Sequence, residues 1–148
     1  MPASFWTKLR QEPLHPAIVH FPLAFLLTVP LLQLWHMRSG DVFAAEAASF
    51  LLKAGLFMSL PAMLAGGWDF YRRIVRAGRK DAYGTATMHI MSMLTALSFY
   101  GGSLLCPEGS DLPPLILSLC GALAITIGGW LGGTLVYRHH IGIIFSKE

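Results

Sequence analysis

Five histidines, His15, His20, His89, His139 and His140, fall near the ends of apolar runs so that a helical bundle gathers them at one end. Neutral imidazole is a good ligand for haem iron, zinc, copper and non-haem iron. At membrane depth an ionisable ring is costly unless it faces protein, a cavity or a ligand, so their grouping marks a candidate site. His20 and His89 lie on different predicted helices, each about one turn inside. Facing histidines with glycines nearby are what a b-type haem in a helical bundle requires. The glycines come from Gly128-Gly129-Trp130-Leu131-Gly132-Gly133, two overlapping G-x-x-x-G pairs. So bare a surface admits another helix, another subunit or the flat face of a macrocycle. Arg138 is suited to holding ring carboxylates, and His139 or His140 to replacing either axial ligand.

A second constellation, His15, His20, Asp69 and His89, is a nitrogen and oxygen set that zinc, copper or iron accepts. Asp69 alternatively pairs with Arg72 or Arg73 one turn on. His15 and His20 are five residues apart, not the i,i+4 pairing of a helical metalloprotease. No H-E-x-x-H and no nucleophile motif occurs, which argues against hydrolytic chemistry. In a third reading the polar groups bond only to one another and to freed carbonyls, in a cofactor-free structural or assembly subunit. His36 belongs to the opposite end, about 30 Å away, with no second histidine beside it. A cofactor chain across the whole membrane therefore needs a partner or a second copy.

These side chains need a scaffold. The 148 residues are 54% hydrophobic and 13% charged, with a mean hydropathy of +0.55, which describes an integral membrane protein. Helices are expected at about 16–36, 44–67, 85–105 and 113–137, each near the roughly 20 residues a span requires. Ser4 to Leu14 reads as a short amphipathic interfacial helix, with Phe5, Trp6 and Leu9 opposite Lys8 and Arg10. No small-residue cleavage site follows it, so the first span is expected to stay as an anchor. Pro16 suits a first helical turn, and Pro22, Pro30 and Pro61 each free a backbone carbonyl and can kink a helix.

With four spans, the N-terminal segment, the middle loop and the C-terminus share one side. That side holds nine of the 11 basic residues: Lys8, Arg10, Arg72, Arg73, Arg76, Arg79, Lys80, Arg138 and Lys147. The positive-inside rule then puts both termini in the cytoplasm. The net charge of +3 reports topology and contact with anionic lipid, not nucleic-acid binding. Cys106 and Cys120 have no C-x-x-C-H spacing and read as small packed side chains. The two helix pairs show no convincing sequence repeat, which gives no ground for an internal duplication.

Leu14-His15-Pro16-Ala17-Ile18-Val19-His20-Phe21-Pro22, Leu64-Ala65-Gly66-Gly67-Trp68-Asp69-Phe70, His89, and Gly129-Trp130-Leu131-Gly132-Gly133-Thr134-Leu135-Val136-Tyr137-Arg138-His139 together resemble the bacterial membrane family catalogued as domain of unknown function 2231. The likeness runs from residue 14 to about 144, and the H-P-x-x-V-H-F-P opening is its most specific part. It implies a four-helix prokaryotic membrane protein, associated in some members with Rieske-type or other redox proteins. By position it carries over His15, His20, Asp69, His89 and the glycine-rich segment through Arg138. His140 departs from the R-H-G ending that the family leads one to expect, which leaves His139 as the motif residue.

The expectation is an all-α, four-helix transmembrane bundle, multi-pass in the bacterial inner membrane. It binds b-type haem near the cytoplasmic face through His20 and His89, with His139, Arg138, Gly129, Gly132 and Gly133 around the ring. The alternatives are a zinc, copper or iron site on His15, His20, Asp69 and His89, or a cofactor-free subunit. The partners expected are the lipid bilayer and either a second copy or a larger membrane redox complex.

Overall fold

The computed structural model describes residues 14–107 and 109–143, all helix and connecting turn. Four helices run up and down: α1 (Leu14–Ser39), α2 (Val42–Phe70), α3 (Lys80–Leu104) and α4 (Leu112–Tyr137). A π-helical turn, Tyr71–Val75, continues α2. The interfacial helix expected over residues 4–14 lies outside the described residues, apart from Leu14, which begins α1. The short α1–α2 turn is built by Gly40 at φ 69 and by Asp41, whose carboxylate accepts from the Phe43 N–H at 2.9 Å and caps α2.

The packing departs from that of a water-soluble bundle. Small residues make up much of the interior: Ala44, Ala48, Ala62, Ala82, Ala86 and Ala96 are buried, as are Ser59, Ser103 and Ser118, beside a core of Leu26, Val29, Leu52, Tyr100 and Ile125. Large apolar side chains point outward, with Phe57 69%, Leu64 78% and Trp130 78% exposed. In lipid such exposure carries no penalty, and small interior residues let the helices approach closely. Three helical segments are long and apolar enough to cross a membrane: His15–Ser39, Val42–Val75 and Leu112–Tyr137. The fourth expected span, α3, falls short because Thr85, Thr87, His89, Ser92, Thr95 and Ser98 dilute its apolar content. Several of its hydroxyls are satisfied within protein. Thr87 and Ser98 donate to carbonyls one turn back, and Ser92 donates to Ala124 of α4 at 3.0 Å.

α1 pairs tightly with α2, and α3 with α4; the two hairpins touch each other much less. Midway, Pro30 has no N–H to give the Leu26 carbonyl, and the buried Tyr100 hydroxyl donates to that oxygen at 2.8 Å. At the end away from His15, Gln33 bonds Ser103 and Ser118. There His36 also lies 3.8 Å from Asp111. Cys106 and Cys120 are free thiols.

Candidate functional site

His15 occupies the first turn of α1 and lies across Gly66 of α2, where a Cβ would come within 3.0 Å of its Nδ1. That nitrogen is 2.8 Å from the Ala62 carbonyl. His89 repeats the arrangement in α3, with Nδ1 2.7 Å from the Gly128 carbonyl and Cε1 3.3 Å from where a Cβ on Gly132 would stand. A carbonyl oxygen accepts only, so both Nδ1 atoms are the donors. In the neutral rings this leaves each Nε2 as a lone pair, the tautomer that a metal-binding histidine adopts when its other nitrogen is anchored.

The two rings face each other across the gap between the hairpins, with centroids 6.3 Å apart and planes at 84°. They stand at one end of a cavity of about 470 Å³ lined by all four helices. Its walls are almost wholly apolar, from Val19, Leu23, Leu26, Ile90, Met93 and Ile125. Two imidazoles opposed across one metal at about 2.0–2.1 Å per nitrogen have centroids about 6 Å apart, against about 5 Å at a tetrahedral angle, and the 6.3 Å found matches the opposed arrangement. The glycines supply the room. Gly129, Gly132 and Gly133 line the cavity, and no atom lies within 4 Å of a Cβ built on Gly129. Gly128 lies against Ser92 and Met93 of α3 instead, so that part of the G-x-x-x-G surface serves helix packing.

The remaining candidates distribute as follows. In place of the His20–His89 pair expected from depth, the structure brings His15 to His89. His20 is exposed, because five residues along an α-helix turn the side chain about 140° away from His15. Asp69 lines the cavity, and its carboxylate accepts from Arg73 Nε at 3.0 Å, the local pairing that its spacing allowed. The four groups of the expected metal set do not converge, and among the described residues no cluster of three His, Cys, Asp or Glu side chains does.

Arg138 is exposed at the C-cap of α4, and His139 does not line the cavity. Its Nδ1 is 3.3 Å from Asp81 Oδ2 and its Nε2 3.3 Å from Thr85 Oγ1. Arg79 donates to the His139 carbonyl at 2.7 Å and to both Asp81 oxygens. The Arg79 guanidinium, with His139 helping, holds the Asp81 carboxyl well below the usual carboxylate range. This cluster latches the chain after α4 onto the start of α3. It seats Ile141 against Ile74, Ala82 and Ala86, over the cavity. His140, at φ 54, takes the left-handed turn that lets the chain fold back.

Sequence reasoning missed Gly66, the Ala62 carbonyl and Tyr100. One of these had a signal: a proline four residues after Leu26 leaves an orphan carbonyl inside the bundle, and a buried tyrosine is a fitting donor.

The profile of a family described as predicted membrane proteins, DUF2231, matches residues 11–144. No curated protein and no solved structure matches the chain.

Proposed function

The chain belongs to the DUF2231 family of membrane proteins, and we propose that within it this protein is a multi-pass redox subunit of the bacterial inner membrane, holding b-type haem between His15 and His89. The observation that carries the reading is the facing pair itself: two rings at 6.3 Å, each anchored through Nδ1 to a main-chain carbonyl. The residues fit a macrocycle. The gap separates two hairpins that pack loosely against one another, its volume falls in the roughly 300–1,000 Å³ range of cofactor pockets, and glycines bare the wall beside each ligand. Bound haem supplies one-electron transfer. His15 and His89 would hold the group through their nitrogens, with tautomer and orientation set by the Ala62 and Gly128 carbonyls, and Leu26, Ile90, Met93 and Ile141 would keep water away. The basic residues at the histidine end support a cytoplasmic position for that end and for both termini.

A bare zinc ion is less well served. It takes four ligands, and Asp69, the nearest carboxylate in the lining, is already engaged by Arg73. A cofactor-free subunit would give the facing pair of anchored imidazoles no role beyond helix packing.

The test is the visible spectrum of the protein purified in mild detergent, before and after dithionite, with elemental analysis of the same sample. Six-coordinate b-haem bands, lost in His15→Ala and His89→Ala but kept in His20→Ala, support the reading. A colourless, iron-free preparation after expression with ample haem overturns it, and zinc or copper in that sample would point to the metal alternative.

A further inference from the structure

The contacts inside the two hairpins are the same contacts. In the first, His15 lies on Gly66 and Leu26 on Gly55; in the second, His89 lies on Gly132 and Tyr100 on Gly121. A shift of 74 positions carries Leu26 to Tyr100 and likewise His15 to His89. A shift of 66 positions carries Gly55 to Gly121 and Gly66 to Gly132. The second shift also takes Ala62, acceptor for His15, to Gly128, acceptor for His89. It lays Gly66-Gly67 and Tyr71-Arg72 onto Gly132-Gly133 and Tyr137-Arg138. Buried positions follow too: Val29 onto Ser103, Leu52 onto Ser118, Ser59 onto Ile125. Equivalent helices point the same way, so the hairpins are related by a quasi-twofold axis along the bundle. The pairs His15/His89 and Leu26/Tyr100 meet across that axis. The repeat escapes a search at one spacing because the second hairpin is shorter around its turn, which makes the two shifts unequal.

We infer that the chain is a tandem duplication of one helical hairpin, whose halves give equivalent ligands to one shared planar group, and that this group sits in two orientations related by a half-turn about the axis. The inference rests on the haem reading above. Haem b carries both propionates on one edge and places its vinyl and methyl groups unsymmetrically about the line through that edge. A half-turn about this line exchanges vinyl with methyl and leaves the propionates where they were. Walls related by the same half-turn discriminate between the two orientations only through their departures from symmetry. Val19 corresponds to Met93, Ser59 to Ile125, Phe70 to Val136, Asp69 to Leu135 and Met63 to Gly129. The last pair differs by a whole side chain, so the two orientations are unequally populated.

The experiment is proton NMR of the full-length protein loaded with hemin in detergent, oxidised and low-spin, read at the haem methyl resonances. Two unequal sets are expected, and Met63→Ala, which trims the wall that corresponds to Gly129, moves the ratio toward unity. His15→Ala and His89→Ala each yield five-coordinate haem, with affinity losses within about threefold of one another, as equivalent ligands require. A single methyl set at equilibrium overturns the inference while the haem reading survives; a histidine variant that keeps the six-coordinate spectrum overturns both. Absence of any hemin complex overturns the haem reading and the two-orientation claim together. Copper(II) alone then tests the shared ligation: a paramagnetic resonance spectrum with two equivalent nitrogens sustains it, and lack of such a complex removes it as well.

Discussion

Gly66→Ala and Gly67→Ala are the same chemical change one residue apart, and the structure separates them. In a helix interior alanine is favoured over glycine by about 1 kcal/mol. At Gly67 a new Cβ meets nothing within 4 Å, so the whole gain is expected, which for a chain of this size raises Tm by about 2–4 °C. At Gly66 the new Cβ stands 3.0 Å from Nδ1 and 3.1 Å from Cε1 of His15. The ring must retreat by several tenths of an ångström while tethered to the Ala62 carbonyl at 2.8 Å. Breaking that hydrogen bond costs about 0.5–1.5 kcal/mol, which offsets the helical gain. Gly66→Ala is therefore expected to melt within about 2 °C of the parent or below it, and to weaken hemin binding because the ligand ring has been displaced. The assay is thermal unfolding of both variants in one detergent, followed by near-ultraviolet circular dichroism, with a hemin titration of Gly66→Ala. If Gly66→Ala gains as much as Gly67→Ala and binds hemin like the parent, His15 is not seated on Gly66 and the ligand geometry is wrong.

Tyr100→Phe strands the Leu26 carbonyl in a buried position and is expected to cost about 1–3 kcal/mol in unfolding titrations. Adding Pro30→Ala supplies the missing N–H and should recover part of the loss, whereas no recovery would deny the link between the two residues. Gly121→Ala drives a Cβ to 2.7 Å from the fully buried Tyr100 ring and should destabilise by about 1–3 kcal/mol through overpacking; a neutral result would mean that this contact is loose. The latch has a pH signature of definite sign. Asp81 is depressed below its ordinary value of 3.8, so its contribution is complete above that pH and fades as pH falls through the lower folded value. Hydrogen exchange at residues 139–143 should thus be protected without change from pH 8 to 5, once corrected for intrinsic rates. Asp81→Asn should expose these amides throughout that range.

The helices were readable from apolar runs because lipid-facing and core-facing side chains alike are mostly apolar, and three of the four also meet the length and composition of a span. α3 differs because the hydroxyls of Thr87, Ser92 and Ser98 are satisfied by its own turns and by α4, a compensation that composition does not register. Depth along a helix pointed to the correct end of the bundle, and His15, Asp69, His89 and three of the glycines do meet the cavity. Depth cannot decide facing. His15 and His20 lie little more than a turn apart along α1, and only the bare surface at Gly66 selects which of them turns inward. The duplication was hidden for a related reason: it resides in contacts between small and large residues, which tolerate Leu26 against Tyr100 and Ala62 against Gly128, and barely in residue identity.

The polar bonds that join the hairpins are unevenly placed. Gln33 with Ser103 and Ser118, and His36 near Asp111, lie at one end, and Tyr100 holds the middle. At the other end the histidines reach back to their own hairpins. There the hairpins are joined by the chain itself, through the Tyr71–Val75 turn, and by apolar contacts of Ile74 with Ala82 and Ala86. A planar guest ligated by His15 and His89 would add a further tie between the hairpins, so that occupancy and integrity would be one equilibrium. At a free concentration a hundred times its dissociation constant, such a guest adds about 2.7 kcal/mol to the resistance of the whole bundle to unfolding. A cell short of the guest would then lose the protein itself, through proteolysis of the unliganded form, and not merely its activity.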